Sequence, residues 1–237
     1  MIGGIRFEHT HRLIAGTVGI LTLVFMLCLF RREKRAWVRW LGVLAFLAVV
    51  AQAVLGGLTV LYLLPTAVSV SHACLAQTFF TLIATLAYVT SAEWLRAERQ
   101  VFKEPDSARR LALITAVFSY CQLVAGAILR HTHGRMLALH LVLAFLILLH
   151  ILLINLKISK NDALRQKLSF HALLLGVFVL TQISLGFASY VCKYLQVQPQ
   201  APRWGTVLLI TAHQSLGALI LAGTVLLVLR CYRLFSS

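Results

Sequence analysis

Residues 49–60 read VVAQAVLGGLTV, an apolar run in which Gln52 and Gly56 stand four positions apart. The same spacing of glutamine and glycine recurs at residues 119–130, which read SYCQLVAGAILR, and at residues 179–190, which read VLTQISLGFASY. Three copies of one apolar pattern in a chain of 237 residues indicate a protein built from an internal repeat.

Histidines take part in the same repeat. One histidine follows each of the three segments, at His72, His140 and His213. A fourth, His11, precedes Gln52 by 41 residues, much as His140 precedes Gln182 by 42. The pattern predicts a duplicated protein with two histidines in each half. Paired buried histidines on separate helices are the arrangement that holds a six-coordinate haem iron above and below its plane.

The composition assigns the chain to a lipid bilayer. Hydrophobic residues make up 60% of the sequence and charged residues only 12%, which leaves too little polar surface for a soluble globule of this size. Apolar runs long enough to span a hydrocarbon core of about 30 Å are predicted at seven places. These runs are 12–30, 38–63, 69–95, 111–130, 136–156, 168–191 and 205–229. We therefore predict an all-α membrane protein with seven transmembrane helices.

The net charge of +15 follows a topological pattern. Of the 22 lysines and arginines, 16 lie in alternate connections between the spans, at 31–39, 96–110, 157–167 and from 230 onwards. By the positive-inside rule these connections are cytoplasmic, which predicts an N-terminus outside and a C-terminus inside a bacterial inner membrane. Nucleic-acid binding is not predicted, because basic clusters beside spans are usually topology signals.

The repeat also predicts how the helices are grouped. The second half contains a Gln-Gly helix, the His140 helix, another Gln-Gly helix and the His213 helix, whereas the first half starts with the His11 helix and has one Gln-Gly helix. We interpret the chain as two pseudo-symmetric antiparallel four-helix bundles, with the first helix of the N-terminal bundle missing. The predicted domains are residues 1–100, with three helices, and residues 101–237, with four.

Glu8 is the acidic residue that points to chemistry. It precedes His11 by three positions, so in a helix the two side chains face the same way, one turn apart. A carboxylate there could stabilise positive charge or accept a proton during an oxidation, or it could simply offset the helix macrodipole. No carboxylate occupies the matching position before His140. The two halves are therefore expected to differ chemically, with one catalytic haem and one auxiliary haem.

Five histidines fall outside the repeat: His9, His131, His133, His150 and His171. His131 lies with Arg130 in a predicted short outer loop, where cations could meet haem propionates by charge-assisted hydrogen bonds. A solvated loop fits that stretch equally well. His150 and His171 are predicted to be interfacial or packing residues.

Taken together, these residues resemble the haem A synthase family. The matching segments are Glu8-His9-Thr10-His11-Arg12-Leu13, residues 52–60, Ser71-His72, residues 126–132, His140 and His213-Gln214. The resemblance runs from residue 3 to about residue 230. Glu-x-x-His-Arg followed by Gln-x-x-x-Gly-Gly-Leu-x-Val is fairly specific in combination. The resemblance implies two four-helix bundles that each hold a haem.

The resemblance also implies the roles of the candidate residues. His11 and His72 would ligate or flank the substrate haem O, and Glu8 would lie beside the methyl group that is oxidised. His140 and His213 would ligate the iron of a haem b that passes electrons. The implied reaction is two successive oxidations of the haem O methyl group to a hydrated aldehyde, giving haem A for terminal oxidases.

Two other function classes remain open. One is a membrane b-type cytochrome that only transfers electrons, and the other is a haem-handling scaffold without redox chemistry. The expected partners are the lipid bilayer, haem O with the enzyme that supplies it, a membrane electron donor and, in a homo-oligomer, further copies of the chain.

Overall fold

The structure is a computed structural model that describes residues 2–97, 100–101, 105–132, 134–192 and 203–236. Within these ranges the chain forms eight helices. They are α1 (Ile2–Arg32), α2 (Ala36–Leu61), α3 (Thr66–Val89), α4 (Ala92–Arg96), α5 (Pro105–His131), α6 (Leu137–Ser159), α7 (Asp162–Tyr190) and α8 (Arg203–Leu234). Two short strands, β1 (Gln100–Val101) and β2 (Phe235–Ser236), pair in parallel.

Seven of the described helices, all except α4, are long and apolar enough to cross a membrane. The prediction of an all-α membrane protein with seven spans is therefore confirmed. Large apolar side chains on these helices face outward, including Leu13 at 60% exposure, Phe145 at 64% and Phe187 at 71%. Such exposure is costly in water and suits lipid-facing surface.

The structure extends the first helix beyond the predicted span. The apolar run predicts a span from residue 12, but α1 begins at Ile2, so Glu8 and His11 both lie inside the helix. The difference arises because hydropathy detects the apolar part of a helix, and a helix continues for as long as its backbone hydrogen bonds do.

Short connections set where the histidine helices begin. Between α5 and α6 the chain turns through Gly134, with φ of 100°, and Met136, with φ of 73°. These are left-handed conformations that glycine adopts readily and methionine rarely. The turn places His140 in the first turn of α6. Leu63 and Leu64, also at positive φ, precede α3 in the same way.

The C-terminal unit comprises Ala92–Ser237. Its four long helices pack in a closed ring, α5 against α6, α6 against α7, α7 against α8, and α8 back against α5. The core of this unit includes Ile151, Leu168 and Leu227, each almost fully buried. At one end, Arg230 donates two hydrogen bonds to the Glu93 carboxylate, at 3.0 and 2.8 Å, and so attaches α4 to the end of α8.

The N-terminal unit comprises Met1–Ser91. Here α1 packs against α2 and α2 against α3. In the described part of this unit, α1 and α3 do not pack extensively against each other, so the three helices form an open array. At Gly42 the helices α1 and α2 approach so closely that an added Cβ would lie 2.7 Å from Leu29 Cδ1.

An arginine ties the connections of the N-terminal unit together. The Arg35 side chain binds both carboxylate oxygens of Glu33, at 2.9 and 2.6 Å, and also donates to the Val89 carbonyl oxygen at 2.9 Å. These hydrogen bonds to the ionised carboxylate lower the pKa of Glu33 to about 2. The end of α1 is thereby linked to the end of α3.

Candidate functional site

Two glutamines of the repeat reach the next histidine along the chain. In the N-terminal unit, Gln52 Nε2 on α2 lies 3.4 Å from His72 Nε2 on α3 and donates to the His72 carbonyl oxygen at 3.1 Å. In the C-terminal unit, Gln122 Nε2 on α5 lies 3.3 Å from His140 Nε2 on α6. The repeated glutamine is therefore a direct neighbour of the imidazole, in both units.

Each glycine of the repeat receives the same histidine. A Cβ added to Gly56 would lie 3.3 Å from His72 Cε1, and one added to Gly126 would lie 3.1 Å from His140 Cε1. At Gly186 the distance to His213 Cε1 would be 2.9 Å, closer than real Cβ atoms come. By contrast, an added Cβ at Gly57 would meet nothing within 4 Å. The repeated glycines are thus explained by the imidazole ring that occupies the place of a side chain.

Two of these histidines meet inside the C-terminal unit. The rings of His140, on α6, and His213, on α8, have centroids 6.4 Å apart and planes inclined at 65°. With metal-to-nitrogen bonds of about 2 Å and a ring radius of about 1 Å, two imidazoles on opposite sides of one ion have centroids about 6 Å apart. The spacing of His140 and His213 therefore fits ligation of one metal ion from two sides.

The number of protein ligands at this place bears on which kind of metal group could bind here. Among the described residues there is no group of three or more His, Cys, Asp or Glu side chains that could hold a metal. A structural or catalytic zinc site needs three or four protein ligands. A porphyrin brings four nitrogen ligands of its own, so the iron needs only two histidines from the protein.

Unpartnered polar atoms surround the same histidines. In the described part of the chain, twelve buried side-chain atoms have no hydrogen-bond partner, and six of them belong to the repeat: Nδ1 of His72, His140 and His213 and Oε1 of Gln52, Gln122 and Gln182. Buried polar atoms are nearly always partnered in folded proteins. The repeat thus holds half of these unpartnered atoms, and the same two atom types recur at each of its three copies, which fits a site that receives a further group.

His11 stands apart from the other three. It lies on α1 with an exposed side chain, and it is near enough to His72 for an electrostatic interaction between the two imidazoles. No hydrogen bond or ring contact joins His11 to His72 in the described residues. The structure thus brings His140 and His213 into one paired site, and brings His11 only into the neighbourhood of His72.

Glu8 forms an ion pair with Arg12 one turn further along α1. The Glu8 Oε1 to Arg12 Nη2 distance is 2.7 Å, and the Glu8 side chain is 47% exposed. The macrodipole of a helix acts most strongly in its first turn. Because α1 begins at Ile2, Glu8 lies beyond that turn. This position weakens the interpretation of Glu8 as a residue that only offsets the macrodipole.

The remaining candidates lie at the ends of helices or in packing contacts. Arg130 and His131 form the last turn of α5, the helix that carries Gln122, and His133 is outside the described residues. His150 Nδ1 donates to the Leu146 carbonyl oxygen at 2.8 Å, and its ring meets Phe118 edge to face. His171 makes a similar edge contact with Phe170, and the side chain of His9 is exposed.

Sequence reasoning found the glutamines and glycines as markers but did not assign them a contact. The signal was present, since residues four apart share a helix face and both would meet the neighbouring helix at one height. A further residue was missed altogether. An added Cβ at Gly217 on α8 would lie 3.2 Å from Gln182 Nε2, so Gly217 makes room for that glutamine.

A comparison with protein families gives one match. The model of the COX15-CtaA family, described as cytochrome oxidase assembly protein, matches residues 5–136, more than half of the chain. The matched stretch contains Glu8, His11 and His72 together with the first two Gln-Gly segments. No curated protein and no solved structure matches the chain. The resemblance to haem A synthases is thereby confirmed, and the chain belongs to the COX15-CtaA family of cytochrome oxidase assembly proteins.

Proposed function

We propose that this protein oxidises the methyl group of haem O to a formyl group, producing haem A for terminal oxidase assembly, and uses a bound haem b for electron transfer. Membership of the family implies involvement in cytochrome oxidase assembly and an oxidoreductase activity. The observation that carries the haem chemistry is the pairing of His140 and His213 at 6.4 Å from two separate helices.

In the C-terminal unit, His140 and His213 would hold the iron of haem b from two sides. Arg130 and His131, at the end of α5, would supply positive charge to the propionates. A haem bound there would supply a one-electron carrier in the membrane interior. The closed ring of α5 to α8 would keep water away from it, because the core between these helices is apolar.

In the N-terminal unit, His11 and His72 would hold the substrate haem O, with Glu8 beside the methyl group. A carboxylate there can accept the proton lost from the methyl carbon or stabilise positive charge that develops on it. The ion pair with Arg12 orients this carboxylate on α1. From the internal repeat we expect a fourth helix with a Gln-Gly pair beside His11 when the substrate site is complete.

The setting of this activity follows from the same interpretation. We propose an integral protein of a bacterial inner membrane, with the N-terminus outside, the C-terminus cytoplasmic and all four repeat histidines near the outer surface. Its partners would be the enzyme that supplies haem O and a membrane electron donor, with further copies of the chain in a homo-oligomer.

The test is to extract the haems after the protein is produced together with a source of haem O, in the presence of the completing helix. We expect haem b and newly formed haem A in the purified protein. A parallel preparation without the haem O source should contain haem b alone. Haem b without haem A in both preparations would contradict the proposed reaction.

One observation favours an alternative, a b-type cytochrome that only transfers electrons. The paired histidine site lies entirely in the C-terminal unit, whereas His11 in the N-terminal unit is exposed. An electron carrier predicts that substitution of Glu8 leaves the haem content and the spectrum unchanged and that no haem A forms under any condition. The extraction experiment therefore separates the two functions.

A further inference from the structure

We propose that the repeated glutamines and glycines are positioning residues that clamp each imidazole in one orientation, a role that rests on the proposed haem ligation and deepens it. The clearest case is the pair α7 and α8. The His213 side chain of α8 packs against Gly186 of α7, and the Gln182 side chain of α7 packs against Gly217 of α8. Each helix therefore provides a small residue for the polar side chain of the other.

The geometry of this exchange is reciprocal. Gln182 and Gly186 are four residues apart on α7, and His213 and Gly217 are four residues apart on α8. Residues at this spacing share one helix face. The two faces can therefore approach closely with each polar side chain next to the glycine of the partner helix.

The contacts fix the ring from two directions. For His140, Gln122 Nε2 lies 3.3 Å from Nε2, while the Cβ position of Gly126 lies 3.1 Å from Cε1 and 3.4 Å from Nδ1. A rotation of the imidazole about its bond to Cβ would move one of these ring edges into Gln122 or into the backbone of α5. The ring plane is thus set before any metal binds.

A related spacing follows every histidine of the repeat. Four residues after each histidine stands a small residue, and these are Ala15, Ala76, Ala144 and Gly217. The pattern is Gln-x-x-x-Gly on one helix and His-x-x-x-small on the next. Only at the last position is the small residue a glycine, and in this α7–α8 pair the Cβ position of Gly186 comes within 2.9 Å of His213 Cε1, closer than at Gly56 or Gly126.

By orienting a histidine ligand, the glutamine and glycine would influence how tightly the iron is bound and at what potential it is reduced. Residues that orient a metal-binding histidine typically change metal affinity by about 10- to 100-fold when they are substituted. Second-shell hydrogen bonds and the orientation of the axial ligands also tune the reduction potential of a haem. Gln182 interacts with His213 and would therefore influence haem b through that ligand.

Gly217→Ala is the decisive variant, because its new methyl group meets Gln182 Nε2 at 3.2 Å. We expect the protein to keep haem b, with a shifted reduction potential, altered low-spin electron paramagnetic resonance values and an affinity about 10- to 100-fold lower. Gly205→Ala is the matched control on the same helix, since its added Cβ meets nothing within 4 Å.

Gln182→Met tests the same contact from the other helix and covers the case in which Gly217→Ala does not fold. It removes the amide at similar length, so the reduction potential should shift as in Gly217→Ala, and the double variant should shift it no further. If both variants have the same reduction potential and resonance values as Gly205→Ala, the positioning role of Gln182 and Gly217 is wrong. The proposed haem binding by His140 and His213 would not be contradicted by that result. If the unmodified protein has no low-spin haem that depends on His213, the proposed function fails and the clamp with it.

Discussion

The two units of this protein contain the same local motif and differ in what the motif achieves. In the C-terminal unit, four helices close into a ring and bring His140 and His213 within 6.4 Å of each other. In the N-terminal unit, three helices form an open array in which His72 has its glutamine and glycine but His11 is exposed. One helix pair is enough to hold a histidine against its glutamine and glycine, whereas among the described residues two repeat histidines meet ring to ring in the unit whose four helices close into a ring.

The largest effect should come from the C-terminal pair. We expect His140→Ala or His213→Ala to abolish the low-spin b-type absorption spectrum, because no other described histidine has a ring contact with either of them. His150→Ala is the matched control on α6, since His150 contacts Phe118 instead. A full spectrum in both ligand variants would remove haem b from this unit.

A second large effect is expected at Glu8 in the N-terminal unit. Glu8→Gln should lower haem A formation by about 100-fold or more if the carboxylate stabilises charge at the methyl group, with the haem content unchanged. Product is measured by haem extraction after the protein is produced together with a source of haem O. Unchanged haem A formation would exclude Glu8 from the chemistry.

The ion pair of Glu8 with Arg12 requires its own control. Arg12→Gln removes the same 2.7 Å contact but keeps the carboxylate. An exposed ion pair contributes about 1 kcal/mol or less, so we expect this variant to fold normally and to retain most of its activity. If Glu8→Gln and Arg12→Gln lower haem A formation equally, the effect comes from the ion pair rather than from the carboxylate alone.

A smaller effect separates two adjacent glycines in α2. Gly56→Ala places a methyl group 3.3 Å from His72 Cε1, whereas Gly57→Ala meets nothing within 4 Å. We expect Gly56→Ala to lower the affinity for the substrate haem by about 10-fold, at the low end of the usual range for ligand-orienting residues. Gly57→Ala should leave the affinity unchanged, as measured by haem titration of the purified protein.

The smallest effect concerns the acid stability of the N-terminal unit. The Arg35 hydrogen bonds lower the pKa of Glu33 from 4.5 to about 2 in the folded protein. A lowered folded-state pKa stabilises the protein above the unfolded-state value, and this stabilisation is lost as the pH falls from about 4.5 towards about 2. We expect Glu33→Gln to lower the free energy of unfolding at pH 6 by about 1 kcal/mol or less.

Unfolding in detergent at several pH values checks this expectation. The difference between Glu33→Gln and the unmodified protein should shrink as the pH approaches 2. A difference that does not change with pH would mean that Glu33 contributes through packing rather than through its charge.

The spans and the repeat could be predicted because both depend only on the order of residues along the chain. An apolar run of sufficient length spans a bilayer whatever its neighbours are, and the seven spans are confirmed in the described residues. The recurring four-residue spacing of glutamine and glycine identified Gln52, Gln122 and Gln182 without any coordinates. The start of α1 at Ile2 was not predictable from hydropathy, because the first turns of the helix are less apolar than its middle.

The sequence by itself determined the class of protein, the number of spans and the histidines worth testing. The tertiary structure decided how these residues meet: that Gly186 and Gly217 receive side chains from opposite helices, and that His140 and His213 lie 6.4 Å apart. The physical reason is helix rotation. Spacing along a helix sets which residues share a face, but only the packing of one helix against another sets what that face contacts.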